Sequence, residues 1–164
     1  MNQNETKLIK NKIEILVGAK GSTIGRAASM ACMGFRTGDS EYALHLQTAF
    51  RICEKDRILI AGCDMFEPTE ALKNSPSFDW DTFQWDVQGF NRYDEWVKQF
   101  KKEYQQLTVQ KVLVSPTGDL TIAFDRSIVL EVFPNSATEE CWRFFERNSD
   151  AHLVVTGRGI DESV

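Results

Sequence analysis

The spacing of apolar residues changes character several times along the chain. Within ETKLIKNKIEILV, residues 5–17, Leu8, Ile9, Ile13, Leu16 and Val17 fall on one helical stripe, and Gly18 follows as a C-terminal cap. The alternation of Ile13, Ile15 and Val17 also fits a strand, so both readings stand for that short segment. From Thr23 the period drops to two. RAASMACMGF, EYALHLQTAFRI and RILIAG read as three successive strands, an antiparallel meander over about 23–64. In the second of these, Tyr42, Leu44, Leu46, Thr48, Phe50 and Ile52 share one face, the core side. Ala43, His45, Gln47, Ala49 and Arg51 share the other.

Residues 67–90, EPTEALKNSPSFDWDTFQWDVQGF, have no clear period. Their prolines, acids and tryptophans predict an ordered but irregular loop, of a length that is usually functional or covers something. Phe78, Trp80 and at least one of Trp85 and Phe90 are expected to pin it against the sheet, because burying an aromatic gains roughly 2–3 kcal/mol against about 1–2 for ordering one backbone residue. Asp79, Asp81 and Asp86 would then project outward as a negative rim for a basic partner.

Asn91 has the character of an N-cap, with Asp94 at the third helical position. The helix predicted over 91–106 gathers Tyr93, Trp96, Val97, Phe100 and Tyr104 on one face and turns Lys98, Lys101 and Lys102 to solvent. A second β region, about 107–160, follows: VQKVLV, LTIAF, IVLEVF, CWRFFER and HLVVTG, separated by polar turns.

The fold class is therefore α+β: two antiparallel β-meanders with an N-terminal helix and a central helix packed on the sheet. The meanders end alike, each with an aromatic–arginine strand (AFRI; CWRFF), a polar turn and an aliphatic strand closing on glycine (ILIAG; LVVTG). Internal duplication is one reading of that likeness.

The 164 residues suit one domain, and 42% hydrophobic with 26% charged residues is a globular balance. A net charge of −5 and a pI near 5.1 argue against nucleic acid, whose phosphates demand a basic field, and suit a basic protein partner instead. MNQNETKLIKNK has no apolar run for a signal peptide and no later segment is long enough to span a membrane, so the expected place is the cytoplasm. Cys32, Cys53, Cys63 and Cys141 include no CxxC pair and read as free thiols.

Motifs for chemistry are lacking. VGAKGSTIG is glycine-rich but has Thr23 where a phosphate-binding loop needs its second glycine, so no nucleotide cofactor is expected. FDWDTFQWD offers carboxylates, yet Phe83 and Gln84 stand where a calcium loop needs an oxygen ligand and a glycine. No close Cys/His pair prepares a zinc site, and no GxSxG or SxxK marks a nucleophile. What remains is a polar face. If the hairpin closes with Ile52 opposite Arg57, His45 falls opposite Asp64, a geometry in which the carboxylate would fix the imidazole tautomer. The plainer reading of His45 is a strand histidine with a satisfied hydrogen bond. On CWRFFER, Trp142 and Phe144 face one way and Arg143 and Phe145 the other, and arginine beside an aromatic is a composition found at interface hot spots.

In LHLQTAFRI, ILIAGCDMFEP, FDWD with Asn91, and VFPNSATEECWRFF, the chain resembles a family of small bacterial proteins of unknown function. These carry an LHLQ…WRI…GxxD block early and an FP…WRFF…G block late. The likeness runs over residues 12–160, with Phe50 where the pattern has tryptophan. The resemblance implies a non-enzymatic, protein-binding role, similar to immunity proteins that neutralise a toxin by binding it. A small enzyme or metabolite-binding protein using His45, Gln47, Arg51 and Asp64 is the alternative.

Overall fold

The N-terminal stripe folds as α1, Gln3–Ile13, in the computed structural model, which describes residues 1–161. Asn2 caps it reciprocally: its side chain accepts from the Glu5 N–H at 2.9 Å, and the Glu5 carboxylate accepts from the Asn2 N–H at 2.8 Å. A 3-10 turn, Glu14–Leu16, carries the stripe on to buried Leu16, and Gly18 ends it at φ +86°. The helical reading of this segment therefore holds.

Alternating residues then build β1 (Lys20–Ala27), β2 (Met30–Thr37), β3 (Ser40–Leu46), β4 (Ala49–Glu54) and β5 (Arg57–Ala61). Two boundaries differ from the sequence reading. RAASMACMGF is the end of β1, a tight turn with Ala28 at φ +49°, and most of β2. That turn lacks the glycine, asparagine or proline that normally announces one. EYALHLQTAFRI is two strands. β3 stops at Leu46, and β4 begins at Ala49 in a different sheet. Tyr42, Leu44 and Leu46 face the core, as do Phe50 and Ile52 beyond the bend, so the alternation crosses Gln47–Thr48 unbroken and hides it.

After the long loop, which contains the short α2 (Glu70–Lys73), come α3 (Arg92–Tyr104), β6 (Val109–Val114), β7 (Leu120–Phe124) and β8 (Ile128–Phe133). Then β9 (Glu140–Glu146), β10 (His152–Thr156) and the two-residue β11 (Gly159–Ile160) complete the chain.

The architecture is α+β with two antiparallel sheets. The first has the order β1-β2-β3-β9-β10-β11, and the second, read from its far edge, β6-β7-β8-β4-β5. Each sheet thus contains a three-strand meander from one half of the chain joined to strands from the other half: β1-β2-β3 to β9-β10 with the short β11 at its edge, and β6-β7-β8 to the β4-β5 hairpin. The joints are β3 with β9 and β4 with β8. The helices follow the same exchange: α1 packs on β6 and β11, and α3 on β1 and β5. The two meanders also meet where they begin, since the Gly18 N–H donates to the Val109 carbonyl and the Val109 N–H to that of Ala19, each at 2.9 Å.

One core lies between the sheets and under both helices, from Ile9 and Ile13 to Leu153 and Val155. Phe35 of β2 stacks on Phe124 of β7 across it, with centroids 6.3 Å apart. Trp142 is fully buried, and its indole N–H donates to the Gly118 carbonyl at 2.9 Å, so its polar end is not left unsatisfied. Among the described residues no helix is long and apolar enough to cross a membrane.

Candidate functional site

The loop between the halves is closed at its neck by its own backbone. The Thr69 N–H donates to the Phe90 carbonyl at 3.0 Å, and the Arg92 N–H to that of Glu67 at 2.9 Å. Arg26, from the end of β1, enters this neck. Its Nε and Nη2 donate to the two Asp94 oxygens, each at 2.7 Å, and Nη2 also approaches the carbonyls of Trp85, Asp86 and Val87 at 3.3–3.4 Å. The Arg26 and Asp94 side chains are only 2% and 3% exposed. Asn91, wholly buried, caps α3 by accepting from the Asp94 N–H at 2.8 Å and donates its amide to the Trp85 carbonyl at 2.8 Å. From the third helical position the Asp94 carboxylate accepts from the Gly89 N–H at 2.8 Å, so the cap and the loop share one polar hub.

Beyond the neck, Phe78, Trp80, Trp85 and Phe90 do not pin the loop to the sheet, contrary to the expectation from sequence. Phe78, Trp80 and Phe83 meet one another, with centroids 5.2–6.1 Å apart, while Trp85 packs on Phe66 at 4.8 Å. The reason is local: Asp79 accepts from the Asp81 N–H at 3.0 Å and starts a 3-10 turn that folds Trp80 back over its neighbours. Trp80 stays 54% exposed and Phe90 43%. Asp79, Asp81 and Asp86 are exposed around them. Residues 67–90 hold five acids (Glu67, Glu70, Asp79, Asp81, Asp86) against one base, Lys73, a net −4 within a chain whose total is −5. The molecule's excess negative charge is concentrated here.

The remaining sequence candidates divide between the outer faces of the two sheets. On the first sheet His45 lies between Cys32 of β2 and Arg143 of β9, not opposite Asp64. The register assumed for that pairing fails because β4, not β3, is the partner of β5, with Arg51 opposite Ala61. Asp64 instead closes the turn after β5, accepting from the Ala61 N–H at 2.8 Å, with Arg92 at 3.8 Å. Arg143 forms a two-pronged ion pair with Glu140, its Nε donating at 2.6 Å, and the nearby Gln47 amide also favours the ionised carboxylate. A further Arg143 nitrogen lies 3.4 Å from His152 Nδ1; arginine only donates, so that ring nitrogen accepts. The Phe145 ring sits between the chain's two histidines, stacked on His152 at 4.1 Å and edge-on to His45 at 5.0 Å.

Burial first, and then the neighbouring Arg143, holds the His45 pKa below its ordinary value. The bond from Arg143 holds the Glu140 carboxyl down, and burial pushes the Cys32 thiol up, so no ready thiolate stands beside the imidazole. His152 could not be tied to His45 from sequence, because the joint of β3 with β9 is a contact between the halves.

On the second sheet Arg51 donates to Glu131 at 2.6 Å and lies 5.4 Å from the Phe133 ring. Arg51 and Gln47 do come together, in a cleft of about 490 Å³ at the bend between β3 and β4. Ala49, Ala61 and Gly62 also line it, with Phe66 and Phe133. Sequence spacing gave no hint of it, since its residues come from four separate stretches. Another cleft, about 540 Å³, is lined by Gly18, Lys20, Gly21, Arg36 and Gln105 among others. No group of three or more His, Cys, Asp or Glu side chains among the described residues is placed to hold a metal ion. Compared with known protein families, with curated proteins and with solved structures, the chain matches none.

Proposed function

We propose that this is a non-enzymatic binding protein of the bacterial cytoplasm. It takes a basic protein partner on the acidic and aromatic surface of residues 67–90, in the manner of an immunity protein. One observation carries the reading: nearly all the net charge and an exposed tryptophan lie together on a loop whose neck is locked by the buried Arg26–Asp94 pair. A preordered surface binds at lower entropic cost, tryptophan is a favoured anchor, and a concentrated negative field steers a basic partner. The enzyme alternative loses its geometry, because His45, Asp64 and Arg51 belong to three different surroundings.

Co-expression with the products of neighbouring genes tests the proposal. A basic protein should co-purify with the wild type and be lost on combining Trp80→Ala with Asp79→Lys and Asp81→Lys. A chain that stays alone beside every neighbour, or a complex indifferent to those changes, would overturn it.

A further inference from the structure

The cleft at the bend between β3 and β4 belongs to no chemistry derived so far, and its construction is specific. Its floor is made of small residues, Ala49, Ala61 and Gly62; a Cβ on Gly62 would come within 3.0 Å of the Phe50 ring. Its walls are Phe66 and Phe133, both exposed to a degree unusual for phenylalanine.

The one charged side chain that lines it, Arg51, and the hydroxyl of Thr48 are already engaged, while Ser29, Gln47 and Cys63 add neutral polar groups. Thr48 donates to the Phe133 carbonyl at 2.7 Å and accepts from the Asn135 N–H at 3.0 Å, and Arg51 is neutralised by Glu131. A charged ligand therefore finds no free counter-charge in it, whereas an apolar body meets two phenyl walls. The cleft is also continuous with the acidic loop, because the Phe66 wall packs on Trp85 at 4.8 Å and is followed in sequence by Glu67.

We infer that this cleft receives one large apolar side chain of a basic polypeptide while the acidic loop holds the flanking positive charges. The inference rests on the binding role proposed above and adds the partner's anchor. A tryptophan or leucine between lysines or arginines fits both parts: the charges meet the loop, and the apolar side chain leaves water between Phe66 and Phe133. Charge steers and the cleft selects.

Two lysine–alanine peptides, identical except for a central tryptophan or alanine, provide the test by fluorescence anisotropy at low salt. On the wild type the tryptophan peptide should bind about tenfold tighter, the scale of one well-buried anchor. Ala49→Trp fills the cleft from an exposed position, so it leaves the core intact. It should erase that advantage while leaving salt-dependent binding of both peptides. Phe66→Ala should also reduce the advantage, and shifts of the Ala61 and Gly62 NMR signals on adding the tryptophan peptide give a readout that needs no variant. Equal binding of the two peptides, or an advantage that survives Ala49→Trp, overturns the anchor alone. Binding of both peptides unchanged by Asp79→Asn with Asp81→Asn and Asp86→Asn, or no binding of either, overturns the loop reading as well.

Discussion

Arg51 and Arg143 occupy equivalent places in the two halves, each on the first strand of a hairpin that crosses to the opposite sheet. Across from Arg51 stands Glu131, and across from Arg143 stands His45. One arginine thus has its acid on the neighbouring strand, and the other must find it in Glu140, three residues back on its own strand. The His45 imidazole is partly buried and left beside a cation, and burial first, then Arg143, lowers its pKa from 6.5. The sign follows from linkage. Below that value the unfolded chain takes up the proton more readily than the folded one, so stability falls as pH drops through the window beneath about 6.5. Urea melts at pH 7 and pH 5 should show a loss for the wild type that is smaller in His45→Gln. An identical loss in both proteins would place the pH dependence elsewhere.

At the scale of elements, the packing of α3 on β1 depends on Gly21. A Cβ there would lie 2.3 Å from the Tyr104 carbonyl oxygen and 2.9 Å from its ring, and neither a helix backbone nor a fully buried ring can step aside cheaply. Gly21→Ala should cost about 1–3 kcal/mol, the range for overpacking, read from the denaturation midpoint. The loop has an analogous dependence on Arg26. Removing one partner of a buried ion pair costs roughly 3–5 kcal/mol, since the other charge is left without compensation. Arg26→Ala should therefore lower stability and expose residues 67–90 to limited proteolysis before the strands are attacked. A loop that resists protease as well as the wild type does would show that the neck backbone alone holds it. The N-terminal and central helices, and the Asn91 cap of the latter, were legible in sequence because a cap is a contact among residues three apart; the Asn2 cap of α1 and the short α2 were not read there. The turn at Ala28 was not, because its backbone angle is imposed by the pairing of β1 with β2 and by no property of alanine.

The whole molecule is held together by exchange. Neither half contains a complete sheet: β3 and β4 lack their neighbours until β9 and β8 arrive from the other half. Chains 1–77 and 78–164, separated within the loop, should each fail to unfold cooperatively when alone. Mixed, they should recover native circular dichroism and a single melting transition. A half that melts cooperatively as a monomer would mean that the exchange between sheets is dispensable. The Arg26–Asp94 pair joins the same two fragments and adds to their association.

The sequence by itself determined what depends on near neighbours. It set the α+β class, the N-terminal and central helices with the Asn91 cap of the latter, the inward and outward phase of the strands, and the placing of acid and aromatic residues between 67 and 90. The likeness of AFRI…ILIAG to CWRFF…LVVTG was also there to be read, and it marks hairpins in equivalent positions of opposite sheets. Only the tertiary structure decided which strand lies beside which. It sent Arg51 to the outer face of one sheet and His45 to that of the other, brought His152 to Arg143, and opened the cleft at Gln47–Thr48. The physical reason is that side-chain alternation records the side of a sheet a residue faces, and a strand that bends from one sheet into another keeps that alternation unchanged.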